Sequence, residues 1–228
     1  MKTVIFLLLF LATFASNAQN KKLKGVIINC QMQDELTYGM LKLWKGKTLI
    51  SDKIKCSDGD FEIDNLVAGT YIIEFENIFR QTLKKTITIK DSLTELKLCN
   101  DEFVDIQLST IFDELKENDT ISLDFSSSGC FHSFQEKSIF YKKGNKIFGQ
   151  LYKENGQVVK KKINSEKLAY LILFEKKARI IDVANGFCTT ANIYKFSLNN
   201  KVKFSCIDTT CDWSGYSPMT KTIFGQNE

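Results

Sequence analysis

The chain has a single histidine, His132, in 228 residues. That scarcity removes much of enzymology, because zinc sites draw on histidines or on paired thiolates at short spacing, and general bases are most often imidazoles. No C-x-x-C pair occurs among the seven cysteines. No G-x-S-x-G elbow marks a nucleophilic serine, and neither a phosphate-cradling glycine loop nor a dinucleotide fingerprint is present. Beyond Ala18 no run is long and apolar enough to span a bilayer. An excess of one charge is missing too: the formal net charge is +4, and acids and bases alternate from end to end, which is not the footprint of a nucleic-acid-binding protein. The expectation is a chain with no cofactor, no metal, no nucleic-acid partner and no catalytic residues of a familiar type.

The N-terminus does carry a signal. Met1-Lys2-Thr3, the apolar run from Val4 to Ala12 and the small residues Ser16 and Ala18 form the charged, hydrophobic and cleavage regions of a secretory signal peptide covering residues 1–18. No cysteine follows the run, so a lipid anchor is not expected. The mature protein is then exported, to the periplasm or the extracellular space, with no transmembrane segment left after cleavage. All seven cysteines lie in the mature part, where disulfides persist, and the odd count leaves at least one thiol free or paired between chains.

The first half is organised around Ser57-Asp58-Gly59-Asp60-Phe61 and the following residues to Phe75. Phe61 and Ile63 share one face of a strand, and Tyr71, Ile73 and Phe75 share a face of the next. Asp58-Gly59 supplies a left-handed turn, and Ala68-Gly69 turns the chain back. Strands at Leu23–Cys30, Tyr38–Lys45, Thr48–Cys56, Thr82–Ile89 and Leu93–Cys99 complete about seven at sandwich spacing. With Gly25-Val26-Ile27 as its opening, this pattern resembles the carboxypeptidase-regulatory-like (transthyretin-like, prealbumin-type) β-sandwich over residues 23–100. The resemblance implies a fold and no reaction; the zinc carboxypeptidase catalytic part that such domains accompany has no counterpart here.

Residues 101–118 break the strand rhythm and read as a connector, with Ile111, Phe112 and Leu115 placed to pack on its neighbours. From 119 to 228 the reading is an α+β domain: strands at Thr120–Phe125, Lys137–Lys143, Lys146–Lys153 and Gln157–Ile163, a helix begun by Ser165 and carrying Leu168, Leu171, Ile172 and Glu175, then strands at Ala178–Val183, Asn192–Leu198 and Lys201–Cys206. Gly144-Asn145, Asn155-Gly156 and Asn199-Asn200 are the turns. The expected fold class is mainly β, a sandwich followed by an antiparallel sheet packed on one helix. Ser128-Gly129-Cys130-Phe131 and Cys188-Thr189-Thr190 are faintly similar to uncharacterised secreted domains of Gram-negative envelope proteins, a likeness that implies no activity.

Several constellations compete for a role. Asp58, Asp60, Glu62 and Asp64 alternate as a calcium loop would, but Ile63 and Gly69 occupy the positions where an EF-hand needs glycine and glutamate, so a solvated strand face is expected. Glu74 stands where isopeptide-forming sandwiches keep a glutamate, yet no lysine lies between Gly25 and Cys30, leaving an ordinary edge glutamate. Cys130 and His132 could meet as thiolate and base. Trp213, Tyr216 and Trp44 are the candidate ligand surface, since aromatic rings stack on sugars and anchor protein contacts; a core position for Trp213 is the competing reading. Cys206 with Cys211 and Cys130 with Cys188 are the expected disulfides, Cys56 is expected buried and free, and Cys30 and Cys99 are left open. The functional expectation is an exported, non-enzymatic envelope protein presenting its C-terminal domain to a protein or glycan. A small hydrolase or thiol enzyme built on Cys130 and His132 and a purely structural spacer are the alternatives.

Overall fold

The computed structural model describes residues 20–30, 34–35, 38–181, 186 and 188–225; the segment expected to be a signal peptide, residues 1–18, lies outside them. The fold is mainly β. Two compact units make it up, one formed by the described residues up to Asn77 with Gln81–Glu102, the other by Ile78–Arg80 with the described residues from Phe103 onward.

The first unit contains β1 (Lys21–Asn29), β2 (Asp34–Glu35), β3 (Tyr38–Lys45), β4 (Thr48–Ser57), β5 (Asp60–Leu66), β6 (Gly69–Glu76), β7 (Thr82–Ile89) and β8 (Leu93–Cys99). Their order is β2-β1-β5-β4-β3-β6-β7, with β8 added to β1 in parallel. β4 and β5 pair at Ser57 and Asp60, so the path bends there and folds into a sandwich. Alternation puts Leu41, Leu43, Phe61, Tyr71, Ile73, Phe75 and Leu98 into one core. The bend is made by Asp58 and Gly59, with φ of 52° and 80°, a pair of left-handed residues that matches strand twist in a hairpin. It delivers Phe61 onto the backbone of β1 at Gly25, where a Cβ would collide with the Phe61 ring and the Leu96 carbonyl. At the next corner the Tyr71 hydroxyl donates to the Val67 carbonyl at 2.9 Å, a tyrosine corner that fixes the entry into β6.

The alternating acids of β5 face lysines of β1. Glu62 pairs with Lys22 and, at 3.2 Å, with Lys24, while Asp64 lies 3.4 Å from Lys22. Glu74 is not at an edge: β6 lies between β3 and β7, and the carboxylate meets Lys42 at 3.1 Å and Lys84 at 3.2 Å across both neighbours. The pair the sequence left open, Cys30 and Cys99, is bridged.

The second unit contains β9 (Thr120–Gly129), β10 (His132–Lys143), β11 (Lys146–Tyr152), β12 (Val158–Ile163), α1 (Ser165–Ile181), β13 (Ala191–Leu198), β14 (Lys201–Asp208) and α2 (Tyr216–Phe224). The six-stranded sheet runs β12-β11-β10-β9-β13-β14, antiparallel at every pair. Inward positions Leu123, Phe125, Phe140, Leu151, Tyr194 and Phe196 form a core with both helices, with Phe79 and with Ile111, Phe112 and Leu115.

Three expectations about the helices are corrected. α1 continues through Ile181 where Ala178–Val183 reads as a strand: Leu171, Phe174, Glu175, Ala178 and Ile181 are all buried, at the three- and four-residue spacing of one helix face. Its cap is Asn164 rather than Ser165, since the Asn164 Oδ1 accepts the Lys167 N–H at 2.9 Å. α2 is a second helix where a loop was expected. Tyr216, Met219, Thr220, Ile223 and Phe224 are its buried stripe, Pro218 falls in the first turn where no intrahelical donor is needed, and Gly225, at φ 69°, closes it.

Candidate functional site

Trp213 and Tyr216, expected to offer rings to a ligand, are core residues, exposed by 4% and 5%. Trp213 packs against Tyr194 and Phe174 with ring centroids 5.2 Å and 5.5 Å away, and its indole lies over the backbone of Gly215, where a Cβ has no room. Tyr216 stacks on Phe125 at 3.8 Å and donates its hydroxyl to Glu136 at 3.1 Å. Burial pushes the Tyr216 phenol well above its ordinary range, so it acts as a neutral donor. The physical reason is the helix: once α2 forms, its first residue faces the sheet. Trp44, in the first unit, is half-buried near the end of β3, so the three rings do not form one surface.

Cys130 and His132 are not assembled as nucleophile and base. Cys130 is exposed and free at the tip of the β9–β10 hairpin, beside a fully exposed Phe131. The His132 Nε2 instead lies 3.1 Å from the Ser127 Oγ, and its ring fills the space beside Gly129.

The disulfide expectations are also corrected. Cys188 is bridged to Cys211, while neither Cys206 nor Cys130 is in a disulfide. Cys206 stands opposite Tyr194 on β14 and points into the core, buried. Cys211 lies past a turn in which Asp208 accepts from the Thr210 N–H at 2.9 Å and its hydroxyl at 2.6 Å. The Cys188 N–H donates to the Thr209 carbonyl at 2.9 Å, and that contact brings the two bridged cysteines together. Short sequence spacing favoured Cys206; the face of the strand excludes it. Cys56 is buried and free, as its apolar phase predicts.

Glu175, Asp208 and Glu136 are carboxylates held by hydrogen bonds inside the second unit. Glu175 is fully buried on α1, accepts the Ile111 N–H at 3.0 Å on both oxygens, and receives the Arg179 guanidinium at 2.6 and 2.9 Å; burial nonetheless raises its pKa. Burial likewise raises Asp208 against the pull of Thr210, and half-buried Glu136 against its bond from Tyr216. Glu175 is an anchor for the segment carrying Ile111 and Phe112, and the other two tie down chain around β14 and α2.

What the sequence missed is the outer face of the six-stranded sheet. The inward residues are buried under the helices, and the alternate positions carry Lys137 and Lys143 on β10, Lys146 on β11, Lys160 and Lys162 on β12, and Lys195 on β13, all exposed. Within the described strands the acid on this face is Asp124, paired with Lys137 at 3.3 Å. Tyr141 and Phe148 stack on the same face with centroids 5.5 Å apart, and the Tyr152 hydroxyl donates to Gln150 at 2.6 Å. A shallow groove of about 390 Å³ crosses this face, lined by Asp124, Ser126, Gln135, Lys137, Tyr152 and Lys195 among others. The signal was present as lysines at alternate positions of separate strands, but it becomes a patch only when the strand order is known.

No protein-family model matches the chain, and no curated protein matches its sequence. Among solved structures it is similar to a Streptococcal ancillary pilin, at 10% identity and TM-score 0.30 over 66% of this chain and 60% of that one. It is also similar to the Bacillus anthracis TIE protein, at 11% identity and TM-score 0.33 over 84% and 48%. The chain spans less than two thirds of either neighbour's length, and similarity this low carries no functional argument. The two disulfides fit an exported protein, and no helix among the described residues is long and apolar enough to cross a membrane.

Proposed function

We propose that the protein is an exported, non-enzymatic interaction module of the cell envelope, in which a carboxypeptidase-regulatory-like sandwich carries a second unit that meets a protein or glycan partner in the periplasm or outside the cell. The observation that carries this reading is the outer sheet face of the second unit: helices cover one side of the sheet, whereas the other presents aligned lysines, stacked rings and a groove. Solvent-facing side chains on a rigid sheet are held in fixed register, which suits recognition. The separation in role of Cys130, free at a hairpin tip, from His132, bonded to Ser127, supports the non-enzymatic part.

Pelleting of the purified mature chain with an envelope fraction tests it. Wild-type protein is expected to co-sediment, and the outer-face variant Lys137→Glu with Lys195→Glu to bind on the order of tenfold more weakly. A first-unit control, Lys47→Glu with Lys90→Glu, should bind as wild type. Equal loss in both variants, or loss in neither, rejects the outer face as the binding surface.

A further inference from the structure

Resting on that reading and naming the ligand of the same face, we infer that the groove across β13, β9, β10 and β11 binds an anionic glycan, a saccharide chain bearing carboxylate or phosphate groups. The groove sets three kinds of group side by side. Lys137, Lys153 and Lys195 line it as cations, with Lys160 and Lys162 on the neighbouring strand extending the positive charge along the face. Two carboxylates also line it: Asp124, paired with Lys137, and half-buried Glu136, which accepts the Tyr216 hydroxyl; the three lysines of the groove and those of the neighbouring strand leave a positive excess that selects an anion by charge complementarity. Ser126 and Gln135 line the floor with hydroxyl and amide groups that match sugar hydroxyls as donors and acceptors.

Tyr152 supplies the third group. Its ring is exposed by 37% at the groove wall, and its hydroxyl is tied to Gln150 at 2.6 Å, so the ring is held in place rather than free to fold away. An amphipathic ring in this position can stack on the C–H face of a sugar. A protein partner would call instead for a desolvated apolar anchor pocket, whereas the groove is lined mostly by polar and charged residues, with Phe125 and Ile193 as its aliphatic or phenyl members. Interspersed hydroxyl and amide groups under a lysine fringe fit a polymer with charge and hydroxyls on every unit. Because the contacts are at the surface, added salt should weaken them steeply.

The test measures affinity of the full mature chain for five probes: polygalacturonate and phosphorylated mannan as anionic glycans, dextran as a neutral glycan, and poly-glutamate and polythymidylate as polyanions without or with a different sugar chemistry. The expected result is binding to at least one anionic glycan at least tenfold tighter than to dextran, poly-glutamate or polythymidylate. Lys137→Glu with Lys195→Glu should abolish it, and Tyr152→Ala should weaken glycan binding about fivefold while leaving the residual affinity for poly-glutamate unchanged. Equal affinity for dextran, equal or tighter affinity for poly-glutamate or polythymidylate, indifference to the lysine variant, or burial of this face in a dimer seen by light scattering each overturns the inference. If the anionic glycans fail while envelope pelleting still depends on Lys137 and Lys195, the ligand class is wrong and the proposed function stands. If pelleting is also indifferent to those lysines, both fall together.

Discussion

In the first unit lysines hold the acids of the strands, Glu62 by Lys22 and Lys24, Glu74 by Lys42 and Lys84, and the buried acid Asp101 accepts the Cys30 N–H at 2.8 Å. In the second, Glu175 and Asp208 are fully inside and Glu136 is half-buried. The sandwich encloses its core between its own layers, and buried Asp101 sits beside the Cys30–Cys99 bridge, outside the apolar cluster. The second unit has a single sheet, so helices and the segment 103–118 must be fastened to one face, and buried carboxylates do part of that fastening through backbone N–H groups and a guanidinium. The same one-sided construction leaves the other sheet face open. Core architecture and the open lysine-bearing face are therefore two results of one choice of layers.

Breaking the disulfides separates the units most strongly. Chain-entropy reasoning gives roughly 4 kcal/mol for the bridge Cys30–Cys99 and roughly 3 kcal/mol for Cys188–Cys211, because the closed segments differ, with sequence separations of 69 and 23. Paired Cys→Ala variants followed by denaturant unfolding should show the larger loss in the first unit; a larger loss in the second would mean that unfolded-chain entropy is not the controlling term.

Next comes Phe79, which belongs to the second unit and lies edge-on to Phe103 at 5.2 Å and Trp213 at 6.3 Å. Phe79→Ala is expected to cost the second unit about 3 kcal/mol. There is one tryptophan in each unit, so a Trp44→Phe background reports the second unit alone through Trp213. We further propose that a fragment of residues 103–228 folds, destabilised by a similar amount because it lacks Ile78–Arg80. Cooperative unfolding of the fragment at wild-type stability would show that Phe79 is dispensable, and a molten fragment that the unit is not autonomous.

A smaller effect, about 1 kcal/mol, is expected for Tyr71→Phe, which deletes the hydroxyl bond to Val67 and leaves the ring in place; it should appear in the first unit's unfolding midpoint with no change in the second.

The weakest expected effect is the response to acid, and its sign differs between units. Burial raises the folded-state pKa of Glu175, Asp208 and Glu136, so as pH falls below neutral the folded second unit takes up protons before the unfolded chain, and these groups add stability. Lysine hydrogen bonds lower Glu62 and Glu74; their contribution is complete above the unfolded value of about 4.3 and is lost as pH falls through the lower folded value. Between pH 7 and about 5 the second unit's melting point should hold or rise while the first stays level. Asp208→Asn should flatten the second unit's profile; an unchanged slope in Asp208→Asn would assign the effect elsewhere.

Much of the first unit could be read from the chain because its rules are local: period-two alternation placed Phe61, Tyr71, Ile73 and Phe75 inward, and Asp58-Gly59 marked the bend. The second unit was harder where local and tertiary signals conflict. Ala178 to Ile181 is a short apolar run that suits either a strand or a helix, and packing on the sheet decides for α1. Tyr216, Met219, Thr220 and Ile223 do keep helical spacing, but Trp213, Gly215 and Pro218 around them carry the marks of a loop. Cys206 was assigned to its sequence neighbour although its strand face points it away. The lysine face draws on β10, β11, β12 and β13, and no window along the chain contains it.

The cysteines outside the disulfides also give each unit its own clock. Cys56 is buried in the first unit's core and Cys206 in the second's, while Cys130 is exposed; burial raises the Cys56 thiol to about 11, which suppresses the reactive thiolate. In the oxidised native protein a thiol reagent should therefore modify Cys130 at once and reach the other two only when a unit opens. Timed alkylation with peptide mapping would follow Cys56 and Cys206 as independent recorders of local opening, read from the unaltered chain without any engineered probe.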